Sequence, residues 1–457
     1  MADLYEAELM LSTRNSFWYK VDCSIFITMS FRMSEHTIFC PICCKEFASS
    51  AQLKKHGERL RPCKPPVLQT PATEFRANSI KFNATLTKEV RQKSGIYFTP
   101  KKARDLLFQK LIEMAVAPTR ILEPSFGTGE FLFDARTRWP AAELHGVEMN
   151  DAMFKSVMLD GAHLTCADFM TWSGSADLII GNPPYFVLPA HSESAMTTGR
   201  PNIYINFLYK CLSEHLTPGG HLAFIIPTSI YNCSYYQPMR DYIAANTIIR
   251  HVETLDKPGF FETGQETTLL ILQKSVPTGD KPFLFRPANG HVYISPHYAE
   301  LYSLIEGSTT IRGLGLGVKT GNVVWNQVKE NLTSDATKTL LIYASNIKGS
   351  VLVLDNLLGY DKKQYVKDIA KPTLNGPVIL VERGYGNAFS FNSVLVNKYG
   401  FYAENHLNVV YPKASTEHNL SRVLASLKNP KTTRFVSLFN GNGTISASDL
   451  EMLIPIF

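Results

Sequence analysis

The tetrapeptide Asn182-Pro183-Pro184-Tyr185 combines residue types whose order indicates a specific chemistry. Two successive prolines cannot continue a β-ladder, so the chain must leave its strand there in a fixed extended conformation. The Asn182 side-chain oxygen and the Pro183 carbonyl then form a rigid pair of acceptors for both hydrogens of a planar amino group. Such a pair favours a more tetrahedral nitrogen and stabilises positive charge as the nitrogen attacks. Tyr185 adds a ring for stacking; an Asn-Pro turn with a packed tyrosine is the structural alternative.

A ligand pocket is indicated upstream by a glycine turn. Residues 120–122 form an apolar run typical of a buried strand, and Gly127 and Gly129 lead into a helical pattern that begins near Glu130. Glycines let the backbone approach a ligand closely, and the start of a helix offers unpaired N–H donors. A purely structural tight turn is the alternative.

Acidic residues end the next two candidate strands. Glu148 lies about 20 residues beyond the glycine turn, which suits the two hydroxyls of a ribose. Asp168 and Phe169 follow the third strand and offer a carboxylate for an adenine amino group and a ring for stacking. The carboxyl ends of parallel strands meet at one edge of a sheet, so we expect these residues to share one pocket. Taken singly, each is equally well a solvated strand end.

Near the N-terminus, two cysteines, a histidine and a third cysteine have the spacing of zinc ligands. These candidate ligands of a structural zinc are Cys40, Cys43, His56 and Cys63. Phe47 and Leu53 fall where a ββα finger keeps its small core, which predicts a finger of this kind. Cys44 is a rival ligand, and the long gap before Cys63 leaves the fourth ligand open. Chance cysteines in a turn are the alternative.

The elements that must position these residues alternate along the chain. From about residue 95 to 275, short apolar runs alternate with helical patterns, which predicts a largely parallel sheet covered by helices on both faces. The candidate strands are residues 120–122, 143–148, 164–166, 177–180, 221–226 and 268–273. Residues 310–457 show short strand-like runs, frequent turns and one helical period near 419–427, which indicates a separate α+β domain.

Composition and charge restrict the function classes. The 457 residues are 45% apolar and 19% charged, as in ordinary globular proteins. No apolar run reaches the roughly 20 residues that span a bilayer, and Arg14, Lys20 and Asp22 interrupt any signal-peptide core. We therefore expect a cytoplasmic or otherwise intracellular protein without a membrane partner. Its eight cysteines are too sparse for a disulfide scaffold.

Positive charge is concentrated in one segment. The net charge is +6, yet residues 45–110 alone hold fifteen Lys and Arg against five Asp and Glu. Such a concentration is typical of a nucleic-acid-binding segment, and a solvated basic linker is the alternative.

These motifs together resemble the gamma class of N6-adenine DNA methyltransferases, closely over about residues 93–275. The run Gly95-Ile96-Tyr97-Phe98-Thr99-Pro100 is similar to the upstream cofactor motif of that family. Its place before the glycine turn, with a recognition region at the C-terminus, is the gamma order. The resemblance implies an α/β fold: the Rossmann-like mixed sheet of S-adenosylmethionine-dependent methyltransferases, joined here by the finger and by a C-terminal α+β target-recognition domain.

The resemblance also assigns residues to the cofactor S-adenosylmethionine. The assigned residues are, in chain order, Tyr97, Thr99, Glu123, Gly127, Gly129, Glu148, Asp168, Phe169 and Pro184, of which Pro184 would line the cofactor side. The first two would contact the methionine part, and Glu123 its amino group. Glu148 would hold the ribose hydroxyls, and Asp168 with Phe169 the adenine.

On the target side, the resemblance implies methyl transfer to the N6 of an adenine flipped out of double-stranded DNA. Asn182 and Pro183 would accept from N6, Tyr185 would stack on the base, and Phe261 would be the second stacking aromatic, with Phe260 as its rival. We expect a monomer. A cognate restriction endonuclease is a partner that the resemblance allows.

The predicted domains follow one another as a leader (1–35), the finger (36–66), a linker (67–92), the catalytic domain (93–305) and the target-recognition domain (306–457). The alternative functions are methylation of a protein glutamine, methylation of an RNA base, and DNA binding by a finger protein without catalysis. The upstream motif, the finger and the long C-terminal domain favour methylation of DNA over methylation of a protein glutamine. A DNA-binding protein without catalysis would not require Asn182.

Overall fold

The residues that the computed structural model describes are 38–39 and 46–47 (backbone only), 74–87, 89–90, 94–189, 196–199, 202–255, 266–354, 362–384, 391–413, 416–439 and 444–457. The chain forms two compact units, Met1–Thr70 and Pro71–Phe457. In the first unit, β1 (Ile38–Phe39) and β2 (Glu46–Phe47) pair antiparallel. The four predicted zinc ligands lie outside the described residues.

A seven-stranded mixed sheet is the centre of the second unit. Its strands are β3 (Arg120–Glu123), β4 (Glu143–Glu148), β5 (Ala162–Cys166), β6 (Ala176–Gly181), β7 (Leu216–Pro227), β8 (Thr247–Leu255) and β9 (Thr267–Lys274). Their spatial order is β5-β4-β3-β6-β7-β9-β8. The first five are parallel, and β9 runs antiparallel to both β7 and β8. The predicted mixed α/β sheet is confirmed, and all six candidate strands lie within observed ones.

Helices cover both faces of this sheet. They are α1 (Ala77–Thr85), α2 (Lys101–Glu113), α3 (Glu130–Arg138), α4 (Asp151–Ser156), α5 (Ile203–Lys210) and α6 (Gln237–Asn246). Neighbouring strand residues face opposite cores: Ile121 packs in one hydrophobic cluster and Leu122 in the other. Burial on both faces explains why these strands are continuous apolar runs rather than alternating patterns.

Helix α1 lies within residues 67–92, whose role as a linker between the finger and the catalytic domain stays a prediction. The buried residue of α1 is Ser79. Ile80 and Phe82 are partly buried and pack against a cluster that includes Phe98. Because these apolar residues are few and only partly covered, hydrophobic periodicity carries little trace of the helix.

The C-terminal part is built from short strands and helices. These elements are β10 (Leu284–Phe285), β11 (Tyr293–Ile294), α7 (Tyr298–Ile305), β12 (Leu316–Thr320), β13 (Leu332–Thr333), β14 (Thr339–Ile342), β15 (Ile347–Lys348), β16 (Val351–Leu352), β17 (Tyr365–Val366), β18 (Leu374–Asn375), β19 (Val378–Glu382), β20 (Ser393–Val396), β21 (Tyr399–Ala403), β22 (Leu407–Pro412), α8 (Asn419–Ser426), α9 (Pro430–Phe439) and α10 (Ala447–Met452). Two larger sheets have the orders β12-β22-β19-β20 and β13-β17-β14-β21-β18. The helical period expected near 419–427 corresponds to α8.

One hydrophobic cluster spans the predicted boundary at residues 305 and 306. Phe285 and Leu301, before the boundary, pack in the same cluster as Phe435 and Ile456 near the C-terminus. The division into catalytic and target-recognition domains at this point stays a prediction. Among the described residues, no helix has the length and apolarity needed to cross a membrane.

Candidate functional site

The carboxyl ends of the parallel strands surround a cavity of about 550 Å³. Most of the residues assigned from the sequence line it: Tyr97, Thr99, Glu123, Gly127, Glu148, Asp168, Phe169, Asn182 and Pro184. Gly129, Pro183 and Tyr185 lie next to lining residues without lining the cavity themselves. Phe261 lies outside the described residues. The strand-end pattern thus places the assigned residues around one cavity.

The glycine turn is tied to the next strand by a carboxylate. Gly127 has a φ of +56°, a left-handed conformation that glycine adopts without strain. Its N–H donates to Glu148 Oε2 at 2.8 Å, and the other oxygen of Glu148 accepts from the Asn150 N–H at 2.7 Å. Burial raises the pKa of Glu148. The carboxylate keeps further lone pairs for hydroxyl donors in the cavity.

Glu123 is a buried carboxyl with an unsatisfied oxygen. It is 2% exposed, and its Oε2 has no hydrogen-bond partner among the described residues. Burial raises its pKa well above the ordinary value, and the charge of Glu148 raises it further. A buried polar atom without a partner is costly. A cationic amino group in the cavity would satisfy this oxygen and remove the cost, so the site fits the ammonium end of an amino-acid ligand.

Asp168 and Phe169 follow β5 at the edge of the cavity. Asp168 is exposed and its Oδ1 accepts from the Met170 N–H at 2.9 Å, which caps a short 3-10 turn. Phe169 is 2% exposed and stacks on Phe207 with ring centroids 5.0 Å apart. The phenyl ring is therefore a fixed part of the wall, and the Asp168 carboxylate is the accessible group of the pair.

Asn182 lies directly after β6, and both polar atoms of its carboxamide are hydrogen-bonded. Its Nδ2 donates to the Tyr97 carbonyl and to Thr99 Oγ1, both at 3.0 Å. Its Oδ1 accepts from the Tyr185 hydroxyl, which also lies 2.6 Å from the Ile225 carbonyl oxygen. The upstream motif thus has a second task beside lining the cavity: two of its oxygens fix the orientation of the Asn182 amide.

Tyr185 is packed rather than open. It is 9% exposed, and its ring lies 6.2 Å from Tyr97 at an interplanar angle of 23°. Burial raises the pKa of Tyr185 well above its usual value, so its hydroxyl stays a donor. A side chain at Gly95 would place its Cβ 2.5 Å from the Tyr185 backbone nitrogen. Only glycine allows the upstream motif to approach this close.

Three polar residues near the cavity were missed by sequence reasoning: Ser79, Arg104 and Glu130. Arg104 is 3% exposed; its guanidinium donates to the Thr99 carbonyl at 2.5 Å and pairs with Glu130 at 3.0 Å. The spacing of Pro100 and Arg104, one turn apart at the start of α2, is a weak sequence signal for this contact. Ser79 offers none.

Comparisons with known proteins identify the family of the chain. The family model of the Eco57I restriction-modification methylase matches residues 13–261. The chain belongs to this family. It is 33% identical to the type II methyltransferase M.CvrRI of Paramecium bursaria Chlorella virus XZ-6E over 395 residues, which are 84% of this chain and 99% of that protein. It is 32% identical to the modification methylase CviBIII of Paramecium bursaria Chlorella virus NC1A, with 82% and 97% covered.

Membership of the Eco57I family makes the chain a methyltransferase of the restriction-modification type. This confirms that the chain is a methyltransferase, and its adenine specificity stays a prediction. A solved structure, the M protein of the type I restriction enzyme EcoKI, is 18% identical over 41% of this chain and 46% of that chain, with a TM-score of 0.32.

Proposed function

We propose that this methyltransferase transfers a methyl group from S-adenosylmethionine to the exocyclic N6 amino group of adenine in double-stranded DNA. The observation that carries the proposal is the position of Asn182 in the wall of a cavity that also presents the unsatisfied Glu123 carboxyl. A planar-amine acceptor and an ammonium acceptor thereby share one enclosed space. The relatives, named type II methyltransferase and modification methylase, support a DNA substrate.

In this proposal the cofactor supplies an electrophilic methyl group, and the protein positions the reactants. Glu123 binds the cofactor amino group, Glu148 its ribose hydroxyls and Asp168 its adenine. These three contacts leave the methyl-bearing end near the Tyr97–Pro100 motif, since Tyr97 and Thr99 line the same wall. Fixing the reactants in line at contact distance accounts for much of the rate enhancement expected of direct transfer.

On the target side, the Asn182 Oδ1 and the Pro183 carbonyl accept the two N6 hydrogens and stabilise the positive charge on the attacking nitrogen. A base inside a duplex cannot enter the cavity, so the adenine is flipped out of the stack. The Asn182 Oδ1 has two lone pairs, so it can accept from N6 while it keeps its bond from the Tyr185 hydroxyl. In this proposal the Tyr185 ring stacks on the base.

Substrate class is tested by incubating the full chain with methyl-labelled S-adenosylmethionine and, separately, duplex DNA, RNA and a glutamine-containing peptide. Label in N6-methyladenine of the duplex, found after nucleoside digestion, is the expected result. Label only in RNA or only in the peptide contradicts the proposal and supports the corresponding alternative function.

We also propose that residues 36–66 form a zinc finger that contacts DNA. Support comes from the ligand spacing and from the antiparallel pairing of β1 with β2, the strands on either side of Cys40 and Cys43. The expected result is one bound zinc per chain, with a chelator weakening DNA binding while cofactor binding is unchanged. Metal analysis measures the bound zinc, and fluorescence anisotropy with labelled duplex measures the DNA affinity. A metal-free chain with unaltered DNA affinity contradicts the proposal.

A further inference from the structure

We propose that residues 74–86 belong to the cofactor site, and that Ser79 is a positioning residue that holds the glycine turn in its binding conformation. The inference rests on the proposed function, since it concerns how S-adenosylmethionine is bound. None of the described residues 74–87 lines the cavity. Any effect of this segment on the cofactor must therefore pass through the residues that it contacts.

The central contact is a pair of buried hydrogen bonds. Ser79 is fully buried, and its Oγ lies 2.5 Å from Glu130 Oε1 and 2.6 Å from Thr128 Oγ1. A serine hydroxyl has one proton, and a carboxylate only accepts. Ser79 therefore donates to Glu130, and Thr128 donates to Ser79. The order of donors fixes the side chain of Thr128, which lies between the two glycines of the turn.

Charge strengthens this connection. Glu130 also accepts from the Arg76 N–H at 2.8 Å and pairs with Arg104 at 3.0 Å, where both side chains are about 5% exposed. Arg104 in turn holds the Thr99 carbonyl. A continuous polar network thus joins residue 76 to the glycine turn and to the upstream motif, the two parts of the chain that enclose the methionine end of the proposed cofactor.

Apolar packing adds a second, separate attachment. Phe75 is 7% exposed and packs in one cluster with Phe98 and Met153, both of which line the cavity. Asn78 Nδ2 donates to the Ser156 carbonyl at 2.7 Å, at the end of α4. The segment therefore contacts the outer side of three cavity walls: the glycine turn, the upstream motif and the helix after Glu148.

Loss of the Ser79 hydroxyl leaves the Thr128 hydroxyl without its acceptor and removes one of the two donors to Glu130 Oε1, of which the Arg76 N–H remains. The glycine turn loses its external restraint. Ser79 does not contact Asn182, which the network reaches only through Arg104 and Thr99. The change should therefore weaken cofactor binding while leaving the methyl-transfer step intact once cofactor is saturating.

The test compares Ser79→Ala, Thr128→Val and the double variant in the full chain, by calorimetric titration with S-adenosylmethionine in the absence of DNA. We expect each single variant to bind about five- to twentyfold more weakly. Both substitutions remove the hydrogen bond between Thr128 and Ser79. The double variant should therefore bind S-adenosylmethionine little more weakly than the single variant with the lower affinity. Ser79→Thr, which keeps the hydroxyl, should restore most of the affinity. The turnover number at saturating cofactor should stay within about twofold.

Thr85→Ala is the matched control, because Thr85 lies in the same helix, is exposed and bonds only the Phe82 carbonyl. Its cofactor affinity should equal that of the unaltered chain. Unchanged affinity in Ser79→Ala, or fully additive losses in the double variant, overturns the proposal. If Ser79→Ala does not fold, Thr128→Val tests the same bond from its other partner. An unaltered chain that binds no S-adenosylmethionine refutes the proposed function instead, which separates the two failures.

Discussion

The two halves of the cavity differ in how ready they are for a ligand. In the cofactor half, Glu123 keeps an oxygen without a partner, and both Glu148 oxygens are already oriented by backbone N–H groups. In the target half, the Asn182 amide N–H groups are both used, and its oxygen accepts from the Tyr185 hydroxyl and keeps one lone pair. The cofactor half therefore presents an unsatisfied acceptor, and the target half presents an acceptor that is already oriented and bonded once.

This difference determines what each half gains from its ligand. In the cofactor half, an amino group removes the cost of a buried oxygen that has no partner. In the target half, a base gains a hydrogen bond to an oxygen whose orientation is already set and which keeps a free lone pair. Less conformational freedom is then lost when the base binds.

Removing the carboxamide should give the largest effect. Asn182→Ala should lower the turnover number by a factor on the order of 10²–10³ or more, because the charge on the attacking nitrogen loses its fixed acceptor. Cofactor affinity should change by about threefold or less. Single-turnover methylation and calorimetric titration measure the two quantities. Asn246→Ala, at the exposed end of α6, is the control; equal losses in both variants would argue against an acceptor role.

In the cofactor half, the affinity for S-adenosylmethionine should depend on pH. The pKa of Glu123 is raised, so the empty protein holds its proton at pH values where a free glutamate would have lost it. A cationic amino group binds the deprotonated carboxylate, so Glu123 must lose its proton when the cofactor binds. The dissociation constant of S-adenosylmethionine should therefore fall about tenfold per pH unit as pH rises towards the raised pKa, and then level off.

Glu123→Gln should remove this slope. Without cofactor, the stability contributed by the proton on Glu123 is complete below pH 4.5 and is lost as pH rises through the raised pKa. Denaturant midpoints of the unliganded chain should show that fall, and the glutamine variant should not. A pH-independent dissociation constant in the unaltered chain contradicts the assignment of Glu123 to the amino group.

The smallest effect is expected from Tyr185→Phe. The ring remains for stacking, but Asn182 Oδ1 loses one of the bonds that orient the amide, so the turnover number should fall about two- to fivefold. Tyr204→Phe is the control, because its hydroxyl contacts Ser229 and not Asn182. An unchanged turnover number in Tyr185→Phe would show that the bonds to Tyr97 and Thr99 orient the amide without the hydroxyl.

The catalytic sheet was largely predictable from the sequence because its strands are buried on both faces. β8 was missed, since Arg250, His251 and Glu253 interrupt its apolar residues. α1 was missed because its buried residue is a serine held by hydrogen bonds, and its apolar residues Ile80 and Phe82 are too few to show a period. The C-terminal strands are often two residues long, too short for an alternating pattern to show.

For the site, strand ends and glycines predicted which residues would meet, because topology dictates where strand ends converge. The engagement of Asn182 by Tyr185, and of Thr128 by Ser79, depends on side-chain distances that no spacing encodes. The roles given to the finger and to Phe261 stay predictions.

The cluster that joins Phe285 and Leu301 to Phe435 and Ile456 limits how specificity can be exchanged between relatives. A chimera cut at residue 306 would divide one hydrophobic core between two parents and create mismatched packing at each seam. A cut before β10, near residue 275, keeps that cluster with a single parent but separates Leu284, Val292 and Ile294 from the catalytic core in which they pack. Residues 284–301 thus contribute to both cores, and a chimera needs matched packing on one side of this stretch wherever it is cut.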